Sequence, residues 1–170
     1  MDKIITTVML IVISMMMALS LFNTAYPAVI EGADAISNMV SRSEDRLRTE
    51  IVIIHTAGEL DSNGVWQDTN DDNDFNAFLW VKNTGSTTLN VIAQTDLFFG
   101  PETDFGRIPN QATAGGIYPY WTGDVEGGGS WVPGATLRIT IHYTLPLSSG
   151  RYFARVTLPN AVSASIVLGL

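Results

Sequence analysis

The densest run of potential ligands is Asp68-Thr69-Asn70-Asp71-Asp72-Asn73-Asp74. Oxygen-bearing side chains at Asp68, Asn70, Asp72 and Asp74 match the opening of a calcium loop, D-x-[DN]-x-[DN], because hard cations select oxygen ligands. The match then fails. Asn73 stands where that loop wants glycine, and Leu79 where its bidentate glutamate belongs. Two readings follow: a structural Ca2+ site at these four residues, or a solvated acidic turn whose carboxylates repel one another unless screened. The turn is the preferred one. His55 and His142 are the only histidines. His142 lies in an alternating segment, where a satisfied strand imidazole is the ordinary role. No GxSxG or HExxH sequence occurs. Glu102 and Asp104 form a carboxylate pair, but a glycosidase needs a set separation that spacing does not supply. Trp66, Trp80, Trp121 and Trp131 read as core and interface anchors rather than a sugar platform. No catalytic residue, cofactor or enzymatic activity is expected.

Composition narrows the field further. The chain has 170 residues, 46% hydrophobic and 15% charged, with no cysteine and a net charge of -8. A charge of that sign argues against nucleic acid as a partner, since phosphate neutralisation needs a cationic surface. Without cysteine there are no disulfides, thiolate zinc sites or cysteine nucleophiles. No N-x-[ST] sequence is present, so asparagine-linked glycans are not expected.

The hydrophobicity is concentrated at the front. Ile4 to Ile30 contains no charged residue, longer than the roughly 20 residues a helix needs to cross a bilayer. Its large side chains fall on every helical face, so the segment needs burial all round, in lipid or protein. Thr7, Ser14 and Thr24 are cheap there because a hydroxyl can bond the carbonyl one turn back. Pro27 predicts a kink rather than an end. Beyond it, Val29, Ala33, Ile36, Val40 and Leu47 recur at one-sided helical spacing. A helix through residue 50 would be about 75 Å long at 1.5 Å per residue. Three roles compete for it: a cleaved secretory signal, a membrane anchor, and a helix that leaves the membrane to pack among its own copies. The apolar run is longer than a usual signal core.

After Ile51 the pattern changes to strands and turns. Strands are predicted at Ile51–Ile54, Phe75–Lys82, Leu89–Phe99, Thr136–Tyr143, Tyr152–Leu158 and Val162–Leu168, six or seven in all. The glycine-rich, aromatic stretch Asn110–Gly134 reads as a long surface loop with short strand pieces. The expected fold class is α+β: a long N-terminal hydrophobic helix over 1–50, then an antiparallel β-sandwich head over 51–170.

This plan resembles type IV pilin-like subunits, and within them the archaeal-type flagellins (archaellins) and other archaellum components. The likeness rests on Ile5-Thr6-Thr7-Val8-Met9-Leu10-Ile11 leading to Tyr26-Pro27-Ala28-Val29-Ile30. It extends to Phe78-Leu79-Trp80-Val81-Lys82-Asn83-Thr84-Gly85, Asp96-Leu97-Phe98-Phe99-Gly100 and the strand led by Pro133-Gly134. Bacterial type IV pilins usually carry glutamate at the fifth mature position, whereas Ile5 stands here, which favours the archaellum branch. The resemblance implies a subunit whose short leader is cut by a prepilin-type peptidase, so that Met1 lies at or near the mature terminus. It also implies transient membrane insertion, then assembly by ATP-driven machinery into a homopolymer through the N-terminal helices. No phosphate-loop lysine follows Gly127-Gly128-Gly129-Ser130, so that machinery is expected on other chains.

Two archaellum roles stay open. One is the subunit of an extracellular motility filament on the cell surface. The other is a low-copy envelope or stator component whose helix stays in the membrane while its β domain binds the cell wall or filament base. The filament subunit is preferred, because a helix packed among copies is held where an untethered end frays. Its expected assembly residues are Ile4, Val8, Ile11, Met15, Met16, Leu19, Phe22 and Pro27. About fifteen large apolar side chains lie between Ile4 and Tyr26, each worth roughly 1.5–3 kcal/mol when removed from water.

Overall fold

A computed structural model describes residues 2–69, 73–90 and 92–170, with side chains from residue 3 onward. The chain forms two compact units, Met1–Glu44 and Asp45–Leu170. Helix α1 spans Asp2–Arg48, 47 residues, or about 70 Å at the α-helical rise. Its hydroxyls bond back one turn as expected: Thr7 Oγ1 to the Lys3 carbonyl, Ser14 Oγ to Leu10 and Thr24 Oγ1 to Ser20, each 2.8 Å. The helix continues through Pro27. One turn earlier, Phe22 and Tyr26 stack at 5.6 Å, an i,i+4 aromatic pair that supports the turn before proline removes a donor.

Among the described residues the head has eight strands: β1 Ile51–Gly58, β2 Phe75–Asn83, β3 Asp96–Pro101, β4 Gly106–Ile108, β5 Tyr120–Val125, β6 Thr136–Tyr143, β7 Arg151–Thr157 and β8 Ser163–Gly169. They form two four-stranded antiparallel sheets in the orders β1-β2-β6-β5 and β4-β3-β7-β8. Alternation explains the sheets. In β6 Leu137, Ile139 and Ile141 are wholly buried while Arg138 faces water, the period-2 pattern of a strand with one wet face. The core gathers these with Leu79, Val81, Leu97, Trp121 and Val156.

Three expectations are corrected. Asn110–Gly134 is more ordered than a long surface loop: the strand piece expected in it is all of β5, a one-turn helix α2, Gln111–Ala114, precedes it, and Trp121 and Trp131 are core residues, as expected of them. Its glycines end the strand rather than forbid it, since Gly115, Gly116, Gly127, Gly128 and Gly129 take positive φ in the flanking turns. The strand expected over Leu89–Phe99 starts later. Leu89 makes one bridge to Trp131, a 3-10 turn follows at Ile92–Gln94, and β3 then runs through Gly100-Pro101. Finally, β1 extends past Ile54 to Gly58, with a register shift between Ile53 and His55.

Candidate functional site

Helix α1 presents its apolar surface without protein cover. Ile4, Val8, Ile11, Met15, Met16, Leu19 and Phe22 are all more than half exposed, and Pro27 is exposed as well. The same holds on the other faces, at Ile5, Met9, Leu10, Ile13, Met17 and Leu21. The helix is long and apolar enough to cross a membrane. The uncharged run alone spans about 40 Å, against a hydrocarbon core of about 30 Å. Farther along, Ile36, Met39, Val40 and Leu47 are exposed too.

The last turn of α1 is built into the head unit. The carbonyls left free at a helix end need donors, and here a head loop supplies them. The Ser86 amide donates to the Arg48 carbonyl at 2.8 Å, and the Thr84 and Gly85 amides donate to the Glu50 carbonyl at 2.9 and 3.0 Å. Thr49 is buried. Its hydroxyl donates to the Asp45 carbonyl at 2.6 Å and accepts from Asn160 Nδ2 at 3.0 Å. Gly85 is required by space: a Cβ there would lie 2.6 Å from both the Arg48 oxygen and the Glu50 nitrogen. The loop is in turn fixed by Asn83, which is wholly buried. Its Nδ2 donates to the Thr87 and Trp131 carbonyls, and its Oδ1 accepts the Gly85 amide.

At the opposite end of the first sheet lies a polar chain of side groups. Register sets it up, because Asn76 and Tyr120 both pair with His142 across the sheet. The Asp74 carboxylate accepts the Tyr118 hydroxyl at 2.6 Å and lies 3.2 Å from His142 Nδ1. His142 Nε2 is 3.1 Å from Thr122 Oγ1, and the Tyr120 ring stacks on the imidazole at 4.7 Å. The bond to Asp74 is the main cause of a Tyr118 phenol pKa raised above its usual value. Burial does the same for Tyr143, with Tyr152 adding to it. Beside this chain, Glu59 is buried and accepts the Asn76 amide, the Asn76 side chain and the Thr69 amide. In the adjoining turn, the Val65 amide above all, with that of Asn63, holds the Asp61 carboxyl below the ordinary range.

Of the residues considered for Ca2+, Asn70 and Asp72 lie outside the described residues. The other two have separate partners: Asp68 accepts the Asn73 amide at 2.8 Å, and Asp74 belongs to the Tyr118–His142 chain. Among the described residues no three acidic or histidine side chains converge on a cation position. His55 stacks against Trp80 at 5.0 Å. Trp121 and Trp131 are core anchors, while Trp66 and Trp80 are half-buried. Spacing could not have found the Asp74–His142 contact, which joins residues 68 positions apart through sheet register.

No known family profile matches the chain. An uncharacterized protein of Archaeoglobus fulgidus is 26% identical over 141 residues, 82% of this chain and 79% of that protein. Among solved structures, the archaellum periplasmic stator protein FlaG from Sulfolobus acidocaldarius matches with a TM-score of 0.53 at 24% identity, over 71% of this chain and 99% of that one. The archaellum periplasmic stator protein complex FlaF and FlaG from the same organism matches with a TM-score of 0.52 at 25% identity, over 71% of this chain and 89% of that one. The chain shares an archaellum-related, pilin-like fold. The fold expected from sequence thus stands, and both of these solved structures are stator proteins, so an archaellin in particular is not shown. The filament preference drawn from sequence gains no support from these neighbours, and the envelope reading does.

Proposed function

We propose that the chain is a membrane-anchored archaellum envelope component of the stator kind. In this reading Ile4–Ile30 stays in the bilayer, and the β head binds the cell wall or filament base outside it. The observation that carries the proposal is the match to a periplasmic stator protein over 99% of that protein's length. The unsatisfied surface of α1 is consistent with it, since lipid covers an all-round apolar helix without demanding a register. The similar complex joins FlaF with FlaG, so a second envelope protein is the partner class proposed here in place of a homopolymer.

The test is where the protein resides. Cells are sheared, and membranes and detached filaments are assayed separately with an antibody to the head. The protein is expected in the membrane fraction at low copy. Recovery as the bulk subunit of sheared filaments, confirmed by electron microscopy, would restore the filament reading and refute this one.

A further inference from the structure

The exposed apolar side chains of the head are unevenly placed. Leu60 and Val65 lie between β1 and β2, Phe105 between β3 and β4, Ile117 and Tyr118 just before β5, and Leu145 between β6 and β7. Register puts these connections at one end of the sandwich. Gly58 pairs with Ala77, Phe75 with Tyr143 and Tyr120 with His142. The second sheet joins that end where Gly58 packs on Leu170, which exchanges hydrogen bonds with Gly150. Phe105 packs there on Phe153 at 4.6 Å. The other end, where Thr49 enters the head, exposes only Val132 among the large hydrophobics of the described loop residues.

Six exposed apolar side chains on loops of one end are more than scatter, because contiguous apolar patches mark interaction surfaces. Ile117 and Leu145 are 75% and 72% exposed. Tyr118 is held in place by Asp74, so part of the surface is ordered before anything binds, which lowers the cost of binding. The charge of the same loops narrows the occupant. Asp61, Asp68, Glu102 and Asp104 lie in them with no lysine or arginine, and Arg151 at the start of β7 is itself 3.2 Å from Glu102. Glu59 and Asp74, buried in the same loops and hydrogen-bonded to Asn76 and Tyr118, bring no cation to this end.

We infer that the loop end opposite Thr49 is a docking surface for a protein partner with an apolar centre and a lysine- or arginine-bearing rim. An anionic lipid surface is repelled by these carboxylates, and a second copy of this acidic head meets its own sign. The inference rests on the head being the docking part of an envelope component.

The chain lacks cysteine, so one introduced thiol gives a clean label on the full-length protein in detergent micelles. An environment-sensitive dye is placed at Ser62→Cys, on the proposed surface, or at Ser130→Cys, at the other end. The probes are a ten-residue peptide of alternating leucine and lysine, its leucine–glutamate counterpart, and phosphatidylglycerol vesicles. The lysine peptide is expected to shift the dye at position 62 saturably and leave position 130 unchanged. Binding should weaken several-fold in 0.5 M NaCl through screening. Combined Ile117→Ser and Leu145→Ser should weaken it at least tenfold, about the loss from uncovering two apolar side chains. Both residues are exposed, so an unchanged melting temperature confirms that the variant folds. An equal response at position 130, equal binding of the glutamate peptide, a vesicle response, or concentration-dependent self-quenching at position 62 each overturns the proposal. A protein found in membranes whose dye stays silent refutes this surface alone, whereas recovery in sheared filaments refutes the envelope reading.

Discussion

Gly85→Ala tests whether the last turn of α1 is part of the head's folding unit. The added Cβ would sit 2.6 Å from the Arg48 oxygen and from the Glu50 nitrogen. Both are backbone atoms, so neither can swing aside as a side chain could. The loop must move, and the three amide bonds from Thr84, Gly85 and Ser86 stretch with it. Overpacking costs typically about 1–3 kcal/mol and each net hydrogen bond about 1. Allowing for partial relaxation, the loss should be about 2–4 kcal/mol, or roughly 8–15 °C in melting temperature for a domain of this size. The head carries every tryptophan and α1 has none, so near-UV circular dichroism of Trp121 and Trp131 follows the head alone. Gly150→Ala is the control, because a Cβ there meets nothing within 4 Å. It should melt within about 2 °C of the parent, as open surface substitutions do. If Gly85→Ala melts with that control, the helix end is not held by this loop.

Asn83→Ala removes a buried amide with three hydrogen bonds and leaves the Thr87 and Trp131 carbonyls without that donor. It should cost about 3 kcal/mol or more by urea titration. At high pH, Tyr118 and Tyr143 favour their protonated forms in the folded state. Their contribution is therefore whole below pH 10 and falls as pH rises past it. The urea midpoint should drop between pH 9 and 11, and drop less in Tyr143→Phe; an equal drop refutes the assignment. Met16→Lys places a charge in the middle of the apolar run, at about 2.5–3.5 kcal/mol on an insertion scale. Ten Leu, Ile, Val and Phe residues between Ile4 and Phe22 offset that with about 3–6 kcal/mol. The envelope reading thus expects much of the protein to remain in carbonate-washed membranes.

The elements that were legible in the sequence are those whose burial is periodic. Thr136–Tyr143 is β6 to the residue, because its inward and outward faces alternate without interruption. Phe75–Lys82 is one residue short of β2, which continues to the buried Asn83. The run without charge from Ile4 marked α1. What escaped was short or enclosed by turns. β4 has only Gly106-Arg107-Ile108, too few residues to show a period. β5 lies between glycine clusters whose composition reads as loop, although Trp121 is wholly buried within it. The Asp74–His142–Thr122 chain needed two strand registers, and no local pattern contains those.

The choice between filament and envelope rests on different grounds. An all-round apolar helix makes the same demand of its surroundings whether lipid or sister helices meet it, because lipid tails are as apolar as leucine. Ile4 to Ile30 would read alike in both proteins, and its exposure in a single chain is equal evidence for each. Discrimination has to come from what the head does. A filament subunit must bind copies of itself, and an acidic surface of one sign resists that unless cations on another face answer it. Here the cations on the second sheet are answered within the chain: Arg107 lies 2.7 Å from Asp96 and Arg151 3.2 Å from Glu102. Arg155 instead sits over the Phe153 ring. Among the described residues, the second sheet of a sister head therefore offers that loop end no arginine without an ion pair or ring contact of its own, and self-association at that end would count against docking of a second protein there.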